Sequence, residues 1–570
     1  MHFILIAINA KYIHSNPAVY SLRGFLDEEM KSNVSIAEYT INQNTDNILA
    51  DICKRKPSAI GFSCYIWNIR LICELLKELP KLLPDVPIWL GGPEVSFNAE
   101  KWLEEFPGVT GVMLGEGEET FRELVETYAR EGQGCSGEKQ LDEIAGLCLR
   151  TGRTTEREPL DLNRLPFLYE DTERFENRII YYESSRGCPF RCSYCLSSID
   201  KTLRFRDLDI VKKELQVFLD RKVKQVKFVD RTFNCKELHA LAIWEYLKEH
   251  DNGITNFHFE IAADYITDAE LKVLRTMRPG LVQLEIGVQT SNAETLAAIN
   301  RKTDLKRLST VVQEIRSWNN IHQHLDLIAG LPQEGYESFA RSFDFVYQLQ
   351  PQQLQLGFLK VLHGTIMEQE ASKYGICYRD TPPYEVLYTN DLSYEEVCKL
   401  KQIEEMVELY YNSGQFVYTL QALVREFTSP FAMFEELACF YEEQGYFVHQ
   451  PARNYRYEVL LEFIRKKALQ EEAYYCECMM YDLYLRENLL TRPSFARDLL
   501  PFKEAIKSMG KTAERKMTHI EPFFYRVWEN AGASDSNCAE QEPIYVLFDY
   551  RDREKMTGNA RTELLNSNIL

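Results

Sequence analysis

From residue 3 to about 128, short apolar runs alternate with stretches that are apolar at every third or fourth position. FILIAIN, VSIAEYT, AIGFSCY, PIWLGG and GVMLGEG read as strands, and the segments near 17–30, 45–54, 69–83, 99–106 and 119–128 read as amphipathic helices. Five strands separated by helices need crossover connections, and the packing that covers both faces is a doubly wound parallel α/β sheet. This unit is assigned to residues 1–130. Residues 131–178 turn polar, with EGQGCSGEK and TGRTTEREP flanking the apolar AGLCLR, and predict a linker with a small hairpin. A second alternation begins at 179: IIYYESS, KQVKFVD, FHFEIAA, LVQLEIGVQ, HLDLIAGLP and LQLGFLKVL, with helical stretches near 208–220, 237–248 and 338–348 between them. Six strands at this spacing predict a partial (β/α)6 barrel of the TIM type over 179–368, with its site at the carboxyl ends of the strands. From 369 to 570 the alternation gives way to a mainly helical, aromatic region with one strand-like run, PIYVLFDY, near its end.

Composition narrows the setting. Across 570 residues, 66 Lys and Arg face 86 Asp and Glu, a formal charge of −20, which argues against a nucleic-acid partner. No apolar run approaches the ~20 residues that span a bilayer, and MHFILIAINAKY has neither the basic start nor the cleavage site of a secretory signal. The expected location is the cytoplasm, with no membrane partner. Most of the 15 cysteines, such as Cys53, Cys64, Cys73, Cys148 and Cys439, are scattered through apolar segments, as buried reduced thiols are.

Three cysteines differ from these. Cys188, Cys192 and Cys195 stand in SSRGCPFRCSYCLSS with CxxxCxxC spacing, directly after a barrel strand. Three thiolates on one loop can hold three irons of a [4Fe-4S] cube and leave the fourth iron open. Structural zinc takes four ligands, and the next candidates, Cys235 and His239, lie about forty residues on without paired spacing. The loops after the strands of the first domain are rich in small residues, the setting in which a doubly wound sheet binds ligands, but they contain no GxGxxG, which argues against a nicotinamide cofactor.

With Tyr194 before the last cysteine, the cluster resembles the signature of the radical S-adenosylmethionine (SAM) superfamily, and residues 180 to about 365 resemble its partial barrel. The resemblance implies that Cys188, Cys192 and Cys195 ligate the cluster, that the open iron chelates SAM, and that one electron cleaves SAM to a 5′-deoxyadenosyl radical. Tyr194 then helps position the adenine. Near other strand ends, Glu260 and Asp264 in FEIAAD, Glu285 and Gln289 in EIGVQTS, and Arg301 in INRK fit a SAM pocket: a guanidinium binds a carboxylate with two parallel bonds, and a carboxylate accepts ribose hydroxyls. Asp230 and Phe233 in FVDRTFN and the GLP of DLIAGLPQE match the same pattern, with Gly330 letting backbone approach the adenine.

Upstream, GGPE followed by LGEGEETFREL resembles the cobalamin-binding domain of the class B radical SAM proteins, so that the resemblance spans about residues 1–365. It implies a corrinoid between the sheet edge and the barrel mouth, cradled at Ser63, Gly91, Gly92, Gly115 and Gly117. Glu94 lies in the same loops, and Glu116 or Glu118 would bond the corrinoid amides or cap the next helix. The sequence departs from one cobalamin pattern, since no DxHxxG follows the first strand; His14 in NAKYIHSNP is the candidate lower axial ligand. The last third resembles an uncharacterised extension carried by some members.

The implied function is cobalamin-dependent methyl transfer to an unactivated carbon of a small-molecule or peptide substrate, with a flavodoxin or ferredoxin as electron donor. No further catalytic residue is assigned. The alternatives are a corrinoid-free, methylthiotransferase-like radical SAM enzyme and, from another class, a non-catalytic iron–sulfur sensor.

Overall fold

The computed structural model describes residues 2–131, 141–170, 175–200, 202–469, 471–489, 491–509, 517–529 and 539–565; the polar stretch 132–140 lies outside them. Strands β1 (Phe3–Asn9), β2 (Val34–Thr40), β3 (Ala59–Ser63), β4 (Ile88–Gly91) and β5 (Gly111–Met113) form a parallel sheet in the order β2-β1-β3-β4-β5. Every residue of β1 is buried, as a central strand covered on both faces requires. The first helical stretch is two helices, Pro17–Gly24 and Glu28–Ser32, because the Asp27 side chain accepts from the Met30 N–H and starts a new one. The hairpin read in the linker, β6 (Leu147–Leu149) and β7 (Gly152–Arg153), pairs antiparallel onto β5 and extends this sheet.

The second sheet runs β8 (Ile180–Tyr182), then a small pair β9 (Ser185–Arg186) and β10 (Arg204–Phe205), then β11 (Gln225–Phe228), β12 (Asn256–Ile261), β13 (Val282–Gln289), β14 (His322–Ala329) and β15 (Gln353–Phe358). Among the described residues β8 and β11–β15 form one parallel sheet of six strands, the partial barrel. Outward positions such as Phe257, Phe259, Leu284, Ile286, Leu325 and Leu327 are buried beneath the surrounding helices, and inward positions alternate with them.

The last third packs helices Tyr394–Met406, Pro430–Glu443, Arg456–Lys466 and Glu472–Arg486 into the barrel's own hydrophobic core, whose buried residues run without a break from Val346 to Phe434 and Tyr484. It also holds a hairpin, β16 (Cys377–Tyr378) with β17 (Val386–Tyr388), and an antiparallel sheet of β18 (Thr518–Phe523), β19 (Ile544–Asp549) and β20 (Arg561–Leu565), of which only β19 was legible in the sequence. This region covers the open edge of the barrel. Asn412 accepts from the Leu354 N–H and donates to its carbonyl, both at 2.9 Å, so that backbone groups at the β15 edge are paired by a side chain.

Asp482 ties helix Glu472–Arg486 to a further helix, Val417–Leu423. Its carboxylate accepts from the Tyr418 and Thr419 N–H groups and from the Thr419 hydroxyl at 2.7–3.0 Å. Burial pushes its carboxyl up to about 7, against the pull of those donors. A carboxyl raised above its unfolded value binds its proton more tightly in the folded chain, so stability is fully present below the unfolded value and declines as pH rises towards 7. Asp482→Asn removes this part of the slope, up to ~4 kcal/mol between pH 4 and 7. Urea midpoints of both chains across pH 5–8 check it; parallel profiles would refute the assignment.

Candidate functional site

In an open sheet of order β2-β1-β3, ligands bind beyond the carboxyl ends where the order reverses, between β1 and β3. Here that edge carries residues 10–16 after β1 and 64–68 after β3. Asn16 caps helix Pro17–Gly24 and donates to the Ser63 hydroxyl at 2.6 Å, joining the two loops. Around them Tyr12, Ile13 and Trp67 stay 67, 45 and 44% exposed, with Tyr65 stacked on Trp67 at 4.3 Å. Large apolar groups left uncovered at a switch point suit a flat, largely apolar cofactor face.

The glycines of this edge have separate reasons. A Cβ at Gly92, where φ is +116°, would lie 2.4 Å from the Cys64 carbonyl oxygen, so Gly92 serves the packing of one loop on its neighbour. A Cβ at Gly91 would meet the Met113 side chain at 3.3 Å and one at Gly117 would meet Leu22 at 3.0 Å. Gly115, with φ at +67°, borders open space. Of the four, Gly115 alone leaves room for a ligand.

Two carboxylates expected at the corrinoid face other parts of the chain. Glu94 is buried and accepts from the Tyr384 hydroxyl in the hairpin region of the last third. Glu116 receives Arg186 Nη1 at 2.7 Å, Arg204 Nη2 at 2.8 Å and the Leu160 N–H at 2.6 Å. Burial raises the Glu116 carboxyl, but Arg204 and Arg186 outweigh it and hold it down to about 2. Arg186 also reaches Glu118 at 3.2 Å. Because Arg186, two residues before Cys188, and Arg204, nine after Cys195, sit opposite each other on β9 and β10, these ion pairs join the first domain to the loop of cysteines. No local spacing announced this contact.

His14 is also held across the domains. Its Nδ1 meets the Tyr181 hydroxyl at 2.6 Å, while Ile13 and Ile179 share a backbone bond of 2.8 Å. The first loop is thereby laid along β8, and Nε2 is the ring nitrogen left for a ligand.

The loop of cysteines is fixed by its backbone. Gly187 has φ +97°, and a Cβ there would meet the Thr202 carbonyl oxygen at 2.0 Å. The Ser193 N–H donates to Ile299, and the Ser193 carbonyl accepts from Met367. Cys188, Cys192 and Cys195 are free thiols, and Cys188 Sγ lies 3.6 Å from the Thr232 hydroxyl. Tyr194 packs in a satellite core with Ile299, Leu331 and Val386. Gly330 differs from expectation: its φ is +83°, and the space a Cβ would take is occupied by Val386 at 2.7 Å, so its smallness accommodates the hairpin and not an adenine.

Arg301 lies beside the cysteines. Its Nη2 donates to the Gly287 carbonyl at 2.5 Å and its Nη1 is 3.7 Å from Cys192 Sγ, while its Nε is buried without a hydrogen-bond partner. A register shift in β13 at Gly287 and Gln289, with Gln289 at φ +71°, re-aims Gln289 against the same backbone. Its Oε1 is buried and unpartnered, as is the Ser193 hydroxyl. Buried polar atoms are rarely left unsatisfied, and these three fit the amino and carboxylate groups of a cofactor at the open iron. Glu260 and Glu285 do not join them. They face one another across β12 and β13 further inside the barrel, near Lys227 at 3.8 and 3.0 Å. Burial raises Glu285, but His258 and Lys227 hold it down to about 2.

Residues 4–125 match the B12 binding domain, 182–346 the Radical SAM superfamily, and 372–548 the family described as Protein of unknown function (DUF4080). The chain carries a B12-binding domain followed by a radical SAM domain. Its matched domains bring cobalamin, a [4Fe-4S] cluster and SAM as cofactors. It is 25% identical over 312 residues to the cobalamin-dependent radical SAM methyltransferase TokK of Streptomyces tokunonensis, covering 50% of this chain and 44% of that one. It is 24% identical over 298 residues to the 2-(S-pantetheinyl)-carbapenam-3-carboxylate methyltransferase of Streptantibioticus cattleyicolor, again covering 50 and 44%. The chain thus spans about half the length of the curated relatives it matches. The fold resembles that of the radical SAM methyltransferase TsrM of Kitasatospora setae, with a TM-score of 0.52 at 16% identity over 67% of this chain and 79% of that one. Among the described residues no helix is long and apolar enough to cross a membrane.

Proposed function

We propose that this B12-binding radical SAM protein is a methyltransferase acting on an unactivated carbon of a small-molecule or peptide substrate. The observation that carries the reading is the Glu116 bridge to Arg186 and Arg204, which joins the ligand edge of the B12-binding domain to the loop of cysteines. When bound, the cluster with SAM supplies a carbon-centred radical, and cobalamin supplies the methyl group.

In this reading Cys188, Cys192 and Cys195 hold three irons as thiolates. Arg301 binds the SAM carboxylate, Gln289 and Ser193 bond its polar groups, and Tyr194 backs the loop. At the other face Ser63 and Gly115 border the corrinoid, and Tyr12, Ile13 and Trp67 exclude water from it. His14 offers Nε2 to cobalt with its ring oriented by Tyr181, as a ligating histidine is by its outer partner. A flavodoxin or ferredoxin-type protein in the cytoplasm delivers the electron.

Anaerobic reconstitution with iron, sulfide and hydroxocobalamin, followed by desalting, tests the reading. About four irons and one corrinoid per chain are expected. Four irons with no retained corrinoid would overturn it in favour of a corrinoid-free radical SAM enzyme.

A further inference from the structure

A closed β/α barrel fills its interior with branched apolar side chains. This one does not. The inward positions of its middle strands carry Lys227 on β11, His258 and Glu260 on β12, Glu285 on β13, and His324 and Asp326 on β14. Strand register sets His258 beside Lys227, Glu285 beside Glu260 and His324 beside Glu285. Donor atoms of Glu285, His324 and Asp326 all lie within 4.8 Å of one another.

The two imidazoles are the decisive groups. His258 and His324 are only 6 and 7% exposed. Their Nε2 atoms lie 2.9 Å from Glu285 Oε2 and 3.0 Å from Asp326 Oδ1, yet neither ring nitrogen has hydrogen-bond geometry to any partner, and Asp326 Oδ1 is equally unpartnered. Donors at such distances that aim past one another are arranged as ligands sharing one cation are, since metal bonds of about 2.0–2.2 Å put neighbouring donors about 3 Å apart. With both imidazoles neutral, as metal ligands are, ionised Glu260, Glu285 and Asp326 against Lys227 sum to −2. A buried surplus of that size is costly unless a counterion matches it.

We propose that Glu285, His324 and Asp326, with His258 set against Glu285, form a binding site for a divalent first-row transition ion, separate from the cysteine loop. Imidazole with carboxylate suits zinc or iron(II), whereas calcium and magnesium take oxygen donors. Glu285 stands two residues, about 7 Å along the strand, before Gly287, whose carbonyl receives Arg301. The ion therefore faces the lumen one row beneath the Arg301 pocket, where it acts as a Lewis acid towards an oxygen or nitrogen of a molecule inside the barrel. This rests on barrel geometry and not on the methyl-transfer reading.

The full chain, with its cluster rebuilt and excess iron removed, is dialysed against zinc(II), and zinc and iron are counted separately. One zinc per chain is expected beside the unchanged iron. His324→Ala and Asp326→Asn should each weaken zinc binding ~10-fold or more with the iron retained. X-ray absorption at the zinc edge should show nitrogen and oxygen at about 2.0–2.1 Å and no sulfur at about 2.3 Å. No zinc retained, sulfur in the shell, or a stoichiometry unmoved by both substitutions would each overturn the site. Should a variant lose iron and hence its fold, the wild-type shell decides alone: nitrogen and oxygen uphold the site, and sulfur removes it. Loss of the corrinoid or of methyl transfer leaves the zinc count untouched, so the two proposals fail separately.

Discussion

Replacing Cys188, Cys192 and Cys195 together with alanine abolishes the brown absorbance of the reconstituted chain and lowers its iron from about four per chain to background. The effect is this large because the three thiolates are the cluster's only protein ligands in the proposed arrangement. Among the other cysteines, Cys64 and Cys478 are buried, and burial pushes the thiols of Cys235, which lies near Cys188, and of Cys476 up to about 11, away from the thiolate form a metal needs. The loop holds its shape through backbone bonds of Ser193 to Ile299 and Met367, which alanine at the cysteines leaves in place. The variant should therefore stay folded, with an unchanged far-ultraviolet dichroism spectrum. Iron retained at the wild-type ratio would remove the basis for the cluster assignment.

Arg301→Ala is expected to weaken SAM binding ~100-fold or more while leaving cluster iron unchanged. Arg301 is buried with its Nε unpartnered, and it is anchored by Nη2 to the Gly287 carbonyl. Truncating one partner of a buried, hydrogen-bonded charge pair costs ~2–5 kcal/mol, which sets that range. Arg301→Lys keeps the charge but loses the planar fork, and should recover only part of the affinity. Anaerobic equilibrium dialysis with SAM checks both variants against iron content. An alanine variant binding within threefold of wild type would assign Arg301 a purely structural role, bracing Gly287 and the bulge at Gln289.

Much of this architecture was legible in the chain because its signals are local. Short apolar runs marked the strands of both sheets, and the helical spacing between them required parallel crossovers. The crowding of Cys188, Cys192 and Cys195 within eight residues needs no tertiary information to suggest an iron–sulfur loop. The last third was legible only as helical, since aromatic residues at helical spacing say nothing about the strand edge they cover.

The corrections fall where partners are distant along the chain. Glu116 looked like a ligand residue in a glycine-rich loop, but it is paired with arginines 70 and 88 positions away. Glu94 is engaged by Tyr384, 290 positions on, and Gly330 by Val386. Glu285 looked like one more polar strand end; register sets it beside His324 and Glu260, since a one-residue slip would turn each side chain to the other face, and a side-chain contact brings His258 Nε2 to 2.9 Å. The sequence by itself determined the two parallel sheets, their order and the cysteine loop, because side-chain periodicity and short spacing are properties of a few consecutive residues. Which carboxylates face a cofactor, which clamp the domains together and which gather inside the barrel was decided only by the tertiary structure, because register and packing choose partners that no local pattern records.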